Sequence, residues 1–197
     1  LLPGAWHRRG FSYMFADSGI FEARRTGSPD QSLKGEYVWF RLGGHDCIAF
    51  RNKRPGDDFL EIFLIGRVTD SSAIIALGTP FIRADSSRGL AGLWKHQASH
   101  CRIEWRFGPG TASYRKTEFD SLSGSERITE ERSGSYSKSD DPEPGSFTVL
   151  FDDGNLSSVL PVVHRDMMCL FDLSPAKSLF SRGMDKQTSH MDQIGSE

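Results

Sequence analysis

Glu61 is the ionisable residue whose neighbours best suit acid–base chemistry, because it stands between Phe59-Leu60 and Ile62-Phe63-Leu64. A carboxyl group buried on such a segment loses hydration, its pKa rises, and it can exchange a proton near neutrality. The alternation also has a plainer reading. Leu60, Ile62 and Leu64 turn inward, leaving Glu61 on the solvent face to pair with an arginine. Phe59, Phe63 and Ile65 share the Glu61 face, so neither face is cleanly polar. The solvent-facing arrangement is the expected one, with catalysis at Glu61 as the alternative.

Each cysteine has a histidine nearby: His45 with Cys47, His100 with Cys101, and His164 with Cys169. Both residue types ligate zinc, and an i, i+2 pair on a strand points to one side. These spacings lack the Cys-X2-Cys or His-X3-His pairs of a structural zinc site, so no metal is expected. Cys101 shares an apolar face with Ile103 and Trp105 and is expected to pack as a small hydrophobe. His164, in Val162-Val163-His164-Arg165-Asp166, is a candidate ligand contact. Nothing else implies a cofactor. The aromatic side chains Trp6, Tyr13, Tyr37, Trp39, Phe63 and Trp105 are the other candidate ligand-binding residues. Such rings wall apolar pockets, and they equally well fill a core.

These residues lie on period-two segments. Cys101, Ile103, Trp105 and Phe107 alternate with Arg102, Glu104 and Arg106, which predicts a half-buried strand. Strands are likewise predicted from Gly35 to Leu42, over Asp46–Phe50, and over Phe59–Val68. Two short ones follow, Ala73–Leu77 and Phe81–Ala84, interrupted by Gly78-Thr79-Pro80. A hairpin joins the Trp105 strand to Thr111–Phe119, and later strands cover Phe147–Phe151 and Val159–Leu173. Only Arg88–His100 has room for a short helix. Residues 120–145, rich in Ser, Gly and Glu, read as an exposed polar hairpin or loop, and 174–197 as a disordered tail.

The expectation is therefore an all-β chain with one barrel-like domain over 1–173. Its single antiparallel sheet would be closed into a barrel or a curved half-barrel. Closure is preferred because it removes exposed strand edges. Gly4-Ala5-Trp6-His7 recurs as Gly92-Leu93-Trp94-Lys95, a sign of internal duplication.

Composition narrows the function classes. With 24 basic and 26 acidic residues the net charge is −2, which gives no field to draw the chain onto nucleic acid or anionic lipid. The longest aliphatic stretch, Ile74-Ile75-Ala76-Leu77, is too short to span a bilayer. There is no Gly-X-Ser-X-Gly elbow, Walker loop or dinucleotide fingerprint. Three sparse cysteines suit a reduced, cytoplasmic setting. The chain opens Leu1-Leu2-Pro3 rather than with Met, as a fragment or a processed form would.

Gly4-Ala5-Trp6 resembles the Gly-X-Trp with which lipocalin-like (calycin) barrels open. The resemblance implies a Trp that plugs the barrel floor against a basic residue from a later strand, below a cavity for one small apolar ligand. Leu1-Leu2-Pro3, Trp6, Ser12-Tyr13, Pro29-Asp30-Gln31, Trp39-Phe40 and Asp46-Cys47 are similar to the opening of the VioE family of violacein-biosynthesis enzymes. That likeness implies a curved half-barrel and cofactor-free chemistry, and it ends near Asn52. The expected function is binding of a small apolar or aromatic molecule inside the sheet. The alternatives are a cofactor-independent biosynthetic enzyme and a protein-interaction domain.

Overall fold

In the computed structural model, residues 3–8, 10–25, 28–54, 57–69, 72–120, 123–139, 143–174 and 179–182 are described, and all their regular elements are strands. The first half holds β1 (Gly4–Arg8), β2 (Phe11–Phe15), β3 (Ile20–Arg25), β4 (Ser28–Leu42), β5 (His45–Arg54), β6 (Asp57–Val68) and β7 (Ser72–Arg83). The second holds β8 (Gly92–Gln97), β9 (Cys101–Phe107), β10 (Thr111–Phe119), β11 (Glu126–Ser139), β12 (Ser146–Phe151), β13 (Leu156–His164) and β14 (Met167–Asp172). The strand β15 (Leu179–Arg182) follows.

All the described strands join one antiparallel sheet, which closes on itself twice. The order runs β14 through β8 to β7, then β15, β1 and on to β6, with further pairings of β14 and β6 onto β7. One closed barrel of eight strands, barrel 1, comprises β15 and β1 to β7, and a second, barrel 2, comprises β7 to β14. β7 belongs to both. Its first half pairs with β6 and β15, its second half with β14 and β8.

The changeover lies at Gly78, where a Cβ would stand 2.6 Å from both Cys169 Sγ and Phe171 Cε1. The Gly78-Thr79-Pro80 interruption is thus no strand break. One strand runs through it, and the pattern changes there because the chain leaves one interior for another.

Closing the sheet twice makes three apolar regions. Trp6, Phe15, Phe21, Tyr37, Phe50 and Ile75 belong to the core of barrel 1, and Phe81, Trp94, Trp105, Phe107, Val149 and Met168 to that of barrel 2. Between the barrels, Cys47, Leu64, Ile74, Leu160, Cys169 and Phe171 form a third layer. Strands at this contact are buried on both faces, so Met168, Cys169, Leu170 and Phe171 are all buried in succession. The same geometry explains why β6 shows no polar face.

Four sequence expectations are corrected. Residues 88–100 hold β8, not a helix. The run Val159–Leu173 is two strands, turned at Arg165, whose φ of 54° is the only positive value at a non-glycine among the described residues. Of the hairpin or loop read over 120–145, the loop is set aside: β11 there is a 14-residue barrel wall hairpinned to β10, with most of its residues exposed. The tail expected from 174 contains β15, which closes barrel 1; residues 183–197 lie outside the described residues.

The duplication hinted by Gly-X-Trp extends through the fold. Gly4 and Trp6 oppose Phe15 and Tyr13, as Gly92 and Trp94 oppose Phe107 and Trp105. Both glycines have φ that L-residues rarely adopt, +123° and +114°. Gly35-Glu36-Tyr37 on β4 matches Gly134-Ser135-Tyr136 on β11. The Tyr37 hydroxyl donates to Ala16 O at 2.6 Å, just past β2, and the Tyr136 hydroxyl to Gly108 O at 3.1 Å, just past β9. Phe81-Ile82-Arg83 matches Phe180-Ser181-Arg182, and each arginine follows its Gly-X-Tyr glycine by 48 residues.

By chain order Trp6 belongs with Arg83, and Trp94 with Arg182. In the fold the pairs are exchanged: Arg182 opposes Trp6 and Arg83 opposes Trp94. Each half lends its last strand to the other half's barrel.

Candidate functional site

The Trp94–Arg83 pair seals barrel 2 at one end. Trp94 is fully buried, its Nε1 donating to Leu90 O at 2.8 Å, and the Arg83 guanidinium lies 4.1 Å from its ring centroid. That guanidinium donates to Ala91 O at 2.8 Å, Ser87 Oγ at 3.1 Å and Gly89 O at 2.6 Å. The Arg83 side chain is 4% exposed.

Toward the other end, where β8 turns into β9, the interior holds a cavity of about 340 Å³. Phe81, Ile103, Trp105, Phe151, Val159 and Leu170 supply its apolar wall. Thr79, Tyr114, Glu130, Arg132, Ser157 and Asp172 supply polar groups. The Trp105 ring meets Tyr114 edge-on at 5.2 Å and Phe151 at 6.1 Å.

The polar groups are mutually engaged. Arg132 Nη2 lies 2.9 Å from Glu130 Oε1 and Arg132 Nε 3.7 Å from Asp153 Oδ2, while its guanidinium covers Phe151 at 5.5 Å. Burial, chiefly, together with the Glu130 carboxylate that accepts its hydrogen bond, pushes the Tyr114 hydroxyl up to about 12. Tyr114 therefore keeps its proton at neutral pH and acts as a donor. Asp172 Oδ1 accepts from the Ser174 amide at 3.0 Å.

Of the residues singled out by sequence, Trp105 lines this cavity. Trp6, Tyr13, Tyr37 and Phe63 all lie in or against the barrel 1 core, with Trp6 fully buried below Arg182. Trp39 is half-exposed near the end of β4, and His164 is exposed at the end of β13. Cys47 and Cys169 face the inter-barrel layer, where burial raises their thiols to about 11 and about 12. Among the described residues no group of three or more His, Cys, Asp or Glu is placed to hold a metal.

Glu61 corrects the solvent-facing expectation. It opposes Phe50, a barrel 1 core residue, while Ile62 and Leu64 pack in the layer between barrels. It has no hydrogen-bond or ion-pair partner among the described residues, and burial raises its carboxyl above the usual range.

Tyr114, Glu130, Arg132, Ser157 and Asp172 escaped the sequence reading. β11 turns Glu130, Arg132, Gly134 and Tyr136 inward, so its inner face is mostly polar and gives no hydrophobic alternation. The signal that could have found it is the Gly-X-Tyr repeat, which sets β11 in register with β4.

Fold and cavity define an all-β protein of two closed eight-stranded antiparallel barrels sharing one strand, the second hollow near one end. No helix among the described residues is long and apolar enough to cross a membrane. No protein-family model, curated protein or solved structure matches the chain.

Proposed function

We propose that this protein binds a small, largely apolar molecule in the cavity of barrel 2. The observation that carries the reading is the cavity itself: about 340 Å³, aromatic-walled, above a Trp–Arg floor, with polar groups contributed by β7, β10, β11, β13 and β14. This is the size and make-up of small-molecule sites, where apolar walls give affinity and a few polar groups set orientation. The resemblance of Gly4-Ala5-Trp6 to lipocalin-like barrels supports the same reading, since each Gly-X-Trp tryptophan here lies under an arginine.

A neutral fluorescent probe, N-phenyl-1-naphthylamine, tests it. The wild-type protein is expected to bind it with enhanced emission. Ser157→Trp, which fills the cavity from β13, is expected to weaken binding about tenfold or more while the melting temperature holds. Equal binding by both proteins refutes a site in barrel 2.

A second reading, a cofactor-independent enzyme, draws on Glu61 as general acid or base inside barrel 1. Its premise is a carboxyl whose pKa burial raises, with no partner charge to lower it. Because the folded pKa is raised, its contribution to stability is full below the ordinary value of 4.5 and is lost as pH rises through the folded pKa. Glu61→Gln is therefore expected to melt higher than wild type at neutral pH and to match it in acid. A variant less stable at neutral pH would show a charged, paired Glu61 and remove the premise.

A further inference from the structure

We infer that the outer face of β9 to β12 docks against the same face of a second copy of this chain, about a two-fold axis running along the strands. The face lies outside barrel 2, so its docking is independent of what the cavity binds. It carries a shallow trough of about 520 Å³. Four residues cross the trough in one row. Arg106 on β9 opposes Ser113 on β10, Ser113 opposes Ser133 on β11, and Ser133 O accepts from the amide of Asp152, just past β12. Phe107, Ala112 and Phe151, next along the strands, are buried inside barrel 2, so this row faces outward.

The duplicated half shows the same row with its charges satisfied. At this register in barrel 1, Met14 opposes Glu22, which opposes Lys34. Glu22 is held there by Arg24 at 2.9 Å and by Lys34 at 3.8 Å, so long side chains cover the strands and pair within the chain. Barrel 2 has serines at both central positions, which opens the trough. The Arg106 and Asp152 side chains at its two ends have no hydrogen-bond or ion-pair partner among the described residues.

A second copy supplies those partners. Stacked sheets pack about 10 Å apart with their strands nearly aligned. An axis along the strands, midway between β10 and β11, lays β9 over the partner's β12 and β10 over the partner's β11. Arg106 then meets the partner's Asp152, and Asp152 meets the partner's Arg106. Between them Ser113 meets the partner's Ser133, two short side chains that let the backbones approach. In the row on one side, Arg115, already paired with Glu131 in its own chain, meets the partner's Glu131. In the row on the other side, Leu150 is 47% exposed and stands over the partner's Gly108, which has no side chain. An axis across the strands would instead set Arg106 against the partner's Arg106 and Asp152 against the partner's Asp152. Charge therefore selects the first axis.

A face four strands wide and three rows deep is smaller than a standard interface, so the dimer is expected to be weak, with a Kd of about 10–100 μM. Sedimentation equilibrium of the full chain, from about 10 μM to about 1 mM, brackets that value. Arg106→Glu and Asp152→Arg are each expected to weaken association about tenfold or more, because every dimer then holds two like-charge contacts. Mixed in equal amounts, the two variants are expected to associate as the wild type does, since each carries the charge the other lacks. The double variant Arg106→Glu/Asp152→Arg is expected to recover association for the same reason. Leu150→Arg, which closes the hole over the partner's Gly108, reads the same face should a charge variant fail to fold, and is also expected to weaken association. A wild-type chain still monomeric at about 1 mM overturns the inference. Association that the single variants leave unchanged, or that neither the mixture nor the double variant restores, overturns it as well, by placing the contact elsewhere.

Discussion

Arg83→Ala is expected to cost about 3–5 kcal/mol of folding stability, and Arg182→Ala distinctly less. The two arginines occupy matched positions over matched tryptophans, at 4.1 Å and 4.9 Å from the ring centroids. Their surroundings differ. Arg83 is almost wholly buried and supplies the donors for Ser87 Oγ, Gly89 O and Ala91 O, so it organises the segment between β7 and β8. Removing it takes the guanidinium donor from Gly89 O, leaves Ala91 O with the Ser87 hydroxyl alone, and opens the face of Trp94. Arg182 is exposed, and its Nη2 donates to Pro3 O at 3.4 Å. Arg83→Lys is expected to recover part of the loss, since a single ammonium cannot span three acceptors in the plane of a guanidinium. Urea unfolding followed by far-ultraviolet circular dichroism measures all three variants. Equal losses for Arg83→Ala and Arg182→Ala would show that the hydrogen-bonded plug contributes nothing beyond the ring contact.

That asymmetry follows from how the repeat is assembled. Trp94 receives its arginine from the neighbouring strand, only a short loop away, whereas Trp6 waits for β15 at the far end of the described chain. The first contact is local and the second spans nearly the whole sequence, so closing barrel 1 carries the larger loop-closure cost. The deeply buried arginine stands where the connection is short, and the exposed one where the chain returns.

How much of this was legible in the sequence depends on what each residue's neighbours had in common. The Trp105 strand could be read because its outer face is Arg102, Glu104 and Arg106, so its alternation is clean. β14 could not be parsed from β13, because Met168 to Phe171 are buried on both sides, one in barrel 2 and the other between barrels. Alternation reports one buried face, and a shared wall has two. β11 failed for the opposite reason: Glu130 and Arg132 point into a cavity, so the inside of the barrel is polar where the site is. Glu61 was singled out correctly as unusual and assigned to the wrong face, again because the layer between barrels claims Ile62 and Leu64. The pairing of Arg182 with Trp6 rests on an exchange between halves. No local pattern encodes which copy of Phe-X-Arg closes which copy of Gly-X-Trp.

Phe171→Ala is expected to cost about 3–5 kcal/mol while unfolding stays a single transition. Phe171 is fully buried in the layer between barrels and opposes Gly78, the point at which β7 passes from one barrel to the other. Its loss leaves a cavity at the one strand both barrels share, so neither barrel can loosen without withdrawing a wall from its neighbour. The cost is therefore expected to appear equally in probes of either interior. The emission of Trp105 in a variant keeping that tryptophan alone, and of Trp6 in its counterpart, is expected to shift to the same lower midpoint. Gly78→Ala is expected to destabilise for the opposite reason, since its new Cβ would crowd Phe171 Cε1 and Cys169 Sγ, both at 2.6 Å. Combined, the two substitutions are expected to cost less than their sum, because the added methyl enters the space the ring vacates. Strict additivity would show that the two residues do not meet at the changeover. A split transition would show that β7 joins two barrels without coupling them.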